Sequence, residues 1–189
     1  LSTGSIVVTG NYYGGEIKVG ETVLRNASQR QQGFVAWLDE EGYATKAVQL
    51  NGRDVSTSVR SNVNVTDVIE ANDNVVVSVD YVGKINVNGT EETTTTNQQD
   101  AMIVRFTLDG GYIGRTVVAG AATDSIEGLA VDEDGNIIAA GGFGGNITIS
   151  GTTITPKTAN RSNALMLKFT SNGNFISYYA VKGSDENKF

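Results

Sequence analysis

The apolar residues of this chain come in short runs broken by glycine, asparagine and threonine, and the runs recur. Ser5–Gly15 (SIVVTGNYYGG), Asn74–Gly83 (NVVVSVDYVG) and Asn136–Gly145 (NIIAAGGFGG) each carry an apolar stretch, then an aromatic residue, then glycine. Aligned this way, the recurring aromatics are Tyr13, Tyr81 and Phe143. A short alternating piece follows each one (EIKVG, KINVNG, NITISG) and closes at Gly20, Gly89 and Gly151. A second block comes next: GFVAWLDEEG (Gly33–Gly42), AMIVRFTLDG (Ala101–Gly110) and ALMLKFTSNG (Ala164–Gly173). Each ends on a turn glycine and enters a further run, YATKAV, GYIGRTVV or NFISYYAV. Gly42, Gly110 and Gly173 are 68 and 63 residues apart, and Gly20, Gly89 and Gly151 are 69 and 62 apart. The two spacings agree, so the chain holds about three copies of one unit. No stretch shows sustained helical periodicity.

The third copy gives the order of strands. Strand A is predicted at about Ile126–Asp132 and strand B at about Asn136–Phe143, with the hairpin signal DEDGN between them. A connection containing NITIS follows, then strand C at about Ala164–Thr170 and strand D at about Asn174–Val181. A four-stranded meander repeated in tandem is the unit of a β-propeller blade. The predicted fold is therefore all-β, a single propeller-like region with repeats at about 1–53, 54–123 and 124–189. Strand C is apolar on both faces in every copy, as a strand sandwiched between neighbouring blades must be. One of its inner positions carries Trp37, Arg105 and Lys168 in turn, long side chains with polar tips that can snorkel out of a packed layer. The first copy lacks strand A, and GSDENKF falls where a further strand A is due. Three blades are fewer than the roughly 4–8 that close a propeller. The expectation is a piece of a larger propeller, or a chain completed by another chain.

Composition sharpens this picture. Glycine makes up 23 of 189 residues, well above the usual ~7%, and proline occurs once, at Pro156. Valine, isoleucine and threonine suit pleated sheets, while glycine and asparagine suit tight turns. Cysteine and histidine are both absent. That removes disulfides, thiolate nucleophiles, zinc-thiolate sites and every His-dependent triad. Lys+Arg is 14 against 21 Asp+Glu, a net charge of -7 that makes nucleic acid an unfavourable partner. No apolar run approaches the ~18 residues of a membrane helix.

The third repeat, LAVDEDGNIIAAGGFGGNITISGTTIT…ALMLKFTSNGNFIS, resembles the bacterial β-propeller repeat family. The second keeps the strands but reads EANDNVVV where the third has DEDGNIIA. The resemblance implies an exported protein, at the cell surface, in the periplasm or outside the cell. It implies fold far more than activity.

Few residues carry recognisable chemistry. Asp132, Asp134 and Asn136 place oxygens at alternate positions, like half of a calcium loop, but no closing glutamate follows. The clusters Asp39-Glu40-Glu41 and Glu91-Glu92 are adjacent residues, unlike the ~5–9 Å facing pair of a glycosidase. Tyr13, Tyr81 and Phe143 recur and are assigned to packing. Tyr12, Tyr178 and Tyr179 do not recur in this alignment and are the candidate ligand contacts, since exposed aromatic rings can stack on sugars or anchor proteins. Thr90–Asp100 is a polar loop, and sequons stand at Asn26, Asn64, Asn88, Asn146 and Asn160. Asp124-Ser125-Ile126 matches a short O-glycosylation pattern. The expected function is a non-catalytic exported module that needs no cofactor and binds a protein or glycan. The alternatives are an assembly subunit that self-associates through open sheet edges and a fragment of a carbohydrate-active enzyme.

Overall fold

The structure, a computed structural model, describes residues 1–94, 96–157 and 163–181. Asn160 and the GSDENKF segment lie outside these residues. Those described form strands and no helix. The strands are β1 (Ile6–Tyr12), β2 (Glu16–Val19), β3 (Thr22–Arg25), β4 (Gln32–Leu38) and β5 (Ala44–Arg53) in the first repeat. The second contributes β6 (Asn62–Ala71), β7 (Asn74–Val82), β8 (Lys84–Val87), β9 (Thr90–Thr93), β10 (Asp100–Thr107) and β11 (Tyr112–Val118). The third contributes β12 (Asp124–Val131), β13 (Ile137–Phe143), β14 (Ile147–Ile149), β15 (Thr152–Ile154), β16 (Asn163–Phe169) and β17 (Phe175–Ala180).

All pairings are antiparallel. The second and third repeats each form a four-stranded meander, in the orders β11-β10-β7-β6 and β12-β13-β16-β17. Those of the third repeat are the predicted A to D strands, displaced by no more than a residue or two. The first repeat supplies three strands, β1-β4-β5, and its sheet is extended by the β8-β9 hairpin of the second repeat. Asn51, Gly52 and Arg53 of β5 pair with Asn86, Ile85 and Lys84 of β8. The hairpins that the sequence places inside a repeat thus reach back to the preceding one. The third hairpin does the same with a single bridge, Gly120 to Ile147.

The turn chemistry follows from backbone requirements. Gly42, Gly110 and Gly173 close the turns before β5, β11 and β17 at φ of +87°, +80° and +80°, a region in which a Cβ is strained. The central sheet shows why the C strands are apolar on both sides. Alternate residues of a strand face opposite ways. Val75, Val77, Met102 and Val104 pack with Val35, Trp37 and Leu50 of the first sheet. The intervening Val76, Ala101 and Ile103 pack with Ile126, Ile137, Leu165 and Phe169 of the third. Each such side chain, fully buried, contributes about 1.5–3 kcal/mol, and β10 is buried from Asp100 to Phe106 because a sheet lies on either side.

The register also corrects the aromatic alignment. Tyr12 pairs with Gln32, Tyr81 with Asp100 and Phe143 with Asn163, at the same place in each ladder. Tyr12 is therefore the counterpart of Tyr81 and Phe143, and all three are buried. Tyr13, one residue further on, is exposed. A one-residue slip reverses every side chain of a strand.

Strands β12 and β13 approach very closely at Gly141. It pairs with Ile126, beside a bulge in β12, and a Cβ there would lie 2.0 Å from the Ser125 carbonyl oxygen. A backbone neighbour cannot rotate away. Gly141→Ala is expected to destabilise the fold by about 2–3 kcal/mol. Gly42→Ala, with open space around its Cβ, is expected to cost about 1 kcal/mol through its backbone angle alone. Thermal denaturation of the two variants checks this, and an equal loss in both contradicts the close approach.

Candidate functional site

Consecutive sheets are joined by a repeated polar contact. Asn11 of β1 accepts, through Oδ1, the Val65 N–H of β6 at 2.8 Å. Its Nδ2 donates to Asn64 Oδ1 at 3.0 Å. One repeat on, Asp80 of β7 accepts the Ile126 N–H of β12 at 3.0 Å. The ladder positions correspond, since Asn11 pairs with Gly33 and Asp80 with Ala101. Both acceptors serve an N–H beside a bulge, between Val65 and Asp67 in β6 and between Ile126 and Gly128 in β12. A bulge takes a residue out of the ladder, and the neighbouring sheet supplies a partner for the exposed N–H. The A strands are tied further by Leu129 N–H to Asp67 Oδ2 at 2.7 Å and Thr66 Oγ1 to the Ile126 carbonyl at 2.6 Å.

Burial makes the acidic version of this contact pH-sensitive. Desolvation pushes Asp80 up to about 7, against the Ile126 N–H, which lowers it, and with help from the Glu127 charge. Its other oxygen accepts Gln99 Nε2 at 3.0 Å, and Gln99 Nε2 also reaches the Asp124 carbonyl at 3.3 Å. Asp124 is fully buried, and desolvation pushes its carboxyl up to about 8, with the Gly144 N–H opposing. Neither carboxyl stands out in the sequence for its charge, since Asp124 enters only within the Asp124-Ser125-Ile126 pattern and Asp80 not at all. A lone acid inside the apolar run NVVVSVDYVG was the available signal.

Among the described residues, the two outer sheets each keep one uncovered face. Val35, Ile103 and Met166 hold equivalent positions on the face turned toward the next repeat, with exposures of 0%, 2% and 38%. Tyr179 lies opposite Met166 and Ser177 opposite Lys168, extending that face of the third sheet. On the reverse face of the first sheet Ile6 and Val8 are 44% and 40% exposed, whereas their counterparts Val75, Val77, Ile137 and Ala139 are buried.

The other sequence candidates are placed apart. Tyr12 is buried in the first sheet and is not a surface contact. Tyr178 and Tyr179 are both exposed, but as successive strand residues they point to opposite faces and form no shared platform. Asp132 is engaged within its own turn and beyond it. It accepts the Asp134 and Asn136 N–H groups at 3.0 and 2.8 Å, and Lys168 Nζ lies 2.6 Å from its second oxygen. The Lys168 hydrogen bond holds the Asp132 carboxyl well below the usual range. No group of three or more acidic side chains is arranged to hold a metal ion among the described residues.

Of the paired carboxylates, three are likewise occupied. Asp39 caps Tyr43 N–H at 2.7 Å, Glu91 meets Lys84 at 2.8 Å, and Glu92 meets Arg115 Nε at 2.8 Å. Asn26 is buried with Nδ2 donated to the Arg30 carbonyl at 2.6 Å, so this sequon is not presented to an enzyme. Ser125 lies half-buried within β12. A cleft of about 410 Å³, lined by Ser5, Trp37, Thr45, Lys46 and Asp109, opens where the first sheet meets the β10-β11 turn. Lys46 Nζ already donates there to the Asp109 carbonyl at 3.3 Å. No protein-family model matches the chain, and no curated protein matches it.

Carboxyls raised in the fold stabilise it below their unfolded range, near pH 4, and lose that contribution as pH rises through the folded values of about 7 and 8. Stability is therefore expected to fall between pH 5 and pH 9. Asp80→Asn keeps the acceptor, as Asn11 does naturally, and removes the charge. It is expected to stabilise the chain at pH 8.5 by roughly 1–3 kcal/mol and by clearly less at pH 5, where only the first part of the loss has occurred. Urea melts at the two pH values measure both, and a variant with the same pH slope as the parent contradicts the assignment.

Proposed function

We propose that the three repeat sheets are blades of a β-propeller, and that the chain serves as a non-catalytic module of an exported bacterial protein, docking a protein partner on its terminal blade faces. The carrying observation is the contrast between Met166 at 38% exposure and its buried counterparts Val35 and Ile103. The same position is apolar in all three repeats and, among the described residues, lacks a neighbouring sheet only in the last. An apolar, aromatic-edged face of this kind suits a protein surface. A glycan is the weaker reading, because Tyr178 and Tyr179 diverge.

Catalysis finds no support in the carboxylates. Asp39 and Asp132 are held in turns, Glu91 and Glu92 by cations, and the raised ones, Asp80 and Asp124, are buried as acceptors of backbone N–H groups. Export rests on the family resemblance, and the net charge of -7 suits a soluble surface.

The test replaces Tyr179 with the photo-crosslinker p-benzoylphenylalanine, with a second chain carrying it at Thr153 in the β14-β15 hairpin as control. Each is irradiated alone and with a surface extract of the producing bacterium. Protein adducts are expected from position 179 and not from 153, and panels of peptides and polysaccharides are expected to remain uncleaved. Absence of protein adducts, or a turnover rate lost on replacing one carboxylate, overturns the reading.

A further inference from the structure

We infer that the partner is a second copy of this chain, the leading face of the third sheet of each copy seating on the reverse face of the first sheet of the other. This rests on the blade reading above. The two internal interfaces define what such a face requires. At the first, Trp37 and Lys46 hold the turn at Gly110: a Cβ on Gly110 would lie 3.1 Å from the Trp37 ring, and Lys46 donates to the Asp109 carbonyl. At the second, Arg105 and Thr116 hold the turn at Gly173: a Cβ there would lie 2.6 Å from Arg105 Cζ, and Thr116 Oγ1 donates to the Gly173 carbonyl at 3.1 Å. The ladder gives Lys168 and Tyr179 as the counterparts of Arg105 and Thr116, and Ser177 as the counterpart of Lys46. The turn equivalent to Gly110 and Gly173 that no sheet holds is the one at Gly42, whose Cβ position meets nothing within 4 Å.

Three further features match the two faces to each other. The Gly42 turn reads Asp39-Glu40-Glu41-Gly42, so Glu40 and Glu41 would add a second acidic side to the Lys168 ammonium, which Asp132 already meets at 2.6 Å. The corresponding turns inside the chain carry Leu108-Asp109-Gly110 and Asn172-Gly173, with far less acid. Ile6, Val8 and Phe34 on one side face Met166, Tyr179 and Ile138 on the other, an apolar centre with a charged rim. The polar contact between sheets is also absent from both sides at once. The position of Asn11 and Asp80 is Gly142 in the third repeat, which pairs with Ala164 and has no side chain to offer. The first sheet has no A strand among the described residues, and hence no bulge N–H requiring an acceptor. A complete four-stranded neighbour would bring one and leave it unserved.

Head-to-tail contacts either close into a ring or run on as a filament. Two copies of three sheets give six, inside the range of about 4–8 in which propellers close. The expected assembly is a closed dimer with two identical interfaces.

Light scattering after size exclusion at micromolar concentration tests this with the parent chain, Met166→Glu and Ile6→Glu. Both substituted residues are exposed, and unchanged circular dichroism melts confirm folding. The parent is expected at twice the 19.9 kDa of one chain, with association weakening as salt is raised. Each variant alone is expected to be a single chain, its association at least ~100-fold weaker. An equimolar mixture of the two is expected to recover dimer, since it retains one intact Met166 face and one intact Ile6 face. A single-chain mass for the parent overturns the inference, as does an open series of larger masses. Loss of association in Met166→Glu but not Ile6→Glu also overturns it, because that is the mark of like faces pairing. Crosslinks from position 179 to a different protein, with a single-chain mass, overturn self-pairing and leave the docking reading standing. No protein crosslink at all overturns both.

Discussion

The arrangement of the sheets depends on one hydrogen bond made twice, from a bulged A strand to a polar side chain on the B strand of the preceding repeat. Apolar packing supplies most of the favourable free energy but little positional specificity. Val76 and Ile103 would be equally dry under a sheet slid by one residue pair. The Val65 and Ile126 N–H groups are different. Each lies beside a bulge, and an unsatisfied buried donor costs about 1–3 kcal/mol. Asn11 and Asp80 reach these donors at 2.8 and 3.0 Å. Any slide that breaks the contact exposes the penalty, so the hydrogen bond fixes register while the valines and isoleucines hold the layers together.

Asparagine and aspartate do this with different consequences. Asn11 sits near the exposed edge of the first sheet, donates as well as accepts, and carries no charge. Asp80 is enclosed between two sheets and must be desolvated, so its carboxyl is raised to about 7 and is partly protonated near neutrality. Asp124 has the same origin, raised to about 8 and enclosed near Gly144. A raised carboxyl in a cleft is a sign of acid-base chemistry. Here the raised carboxyls are themselves buried, and they accept backbone N–H groups, Ile126 for Asp80 and Gly144 for Asp124, with Gln99 Nε2 on the other Asp80 oxygen. The perturbation follows from using a charged residue as a spacer between layers.

Much of the architecture was legible in the sequence because both its signals are local. Turn glycines at Gly42, Gly110 and Gly173 mark positive φ, and alternation marks strand faces, so the four strands of the third repeat fall within a residue or two of their predicted places. What was not legible depends on register between distant segments. Aligning NYYGG with VDYVG by its glycines selects Tyr13, whereas pairing with β4 selects Tyr12, and no local feature distinguishes two adjacent tyrosines. The β8-β9 hairpin reads as belonging to its own repeat, yet β8 hydrogen-bonds to β5 of the previous one. The Asp132 turn resembles a cation loop until Lys168, 36 positions later, is found beside it at 2.6 Å. The Gly42 turn could be found as a repeat feature, but not as the one among the three turns at Gly42, Gly110 and Gly173 that no described sheet holds.

The same logic bears on where evolution can place an interaction in a repeat fold. Inside the stack, each C-strand position is constrained by two neighbours, which is why β10 is apolar on both sides along almost its whole length. On a face against which no further described sheet packs, one of those constraints is missing, and polar residues would cost the fold little. Met166, Ile6 and Val8 are nonetheless apolar, like their buried counterparts, while the position equivalent to Asn11 and Asp80 is Gly142. A face with the packing residues of an internal interface but without its polar register contact is complementary to a surface that lacks a bulged A strand, and this complementarity is the basis of the proposed pairing. Among the sheets described, the first alone has that form.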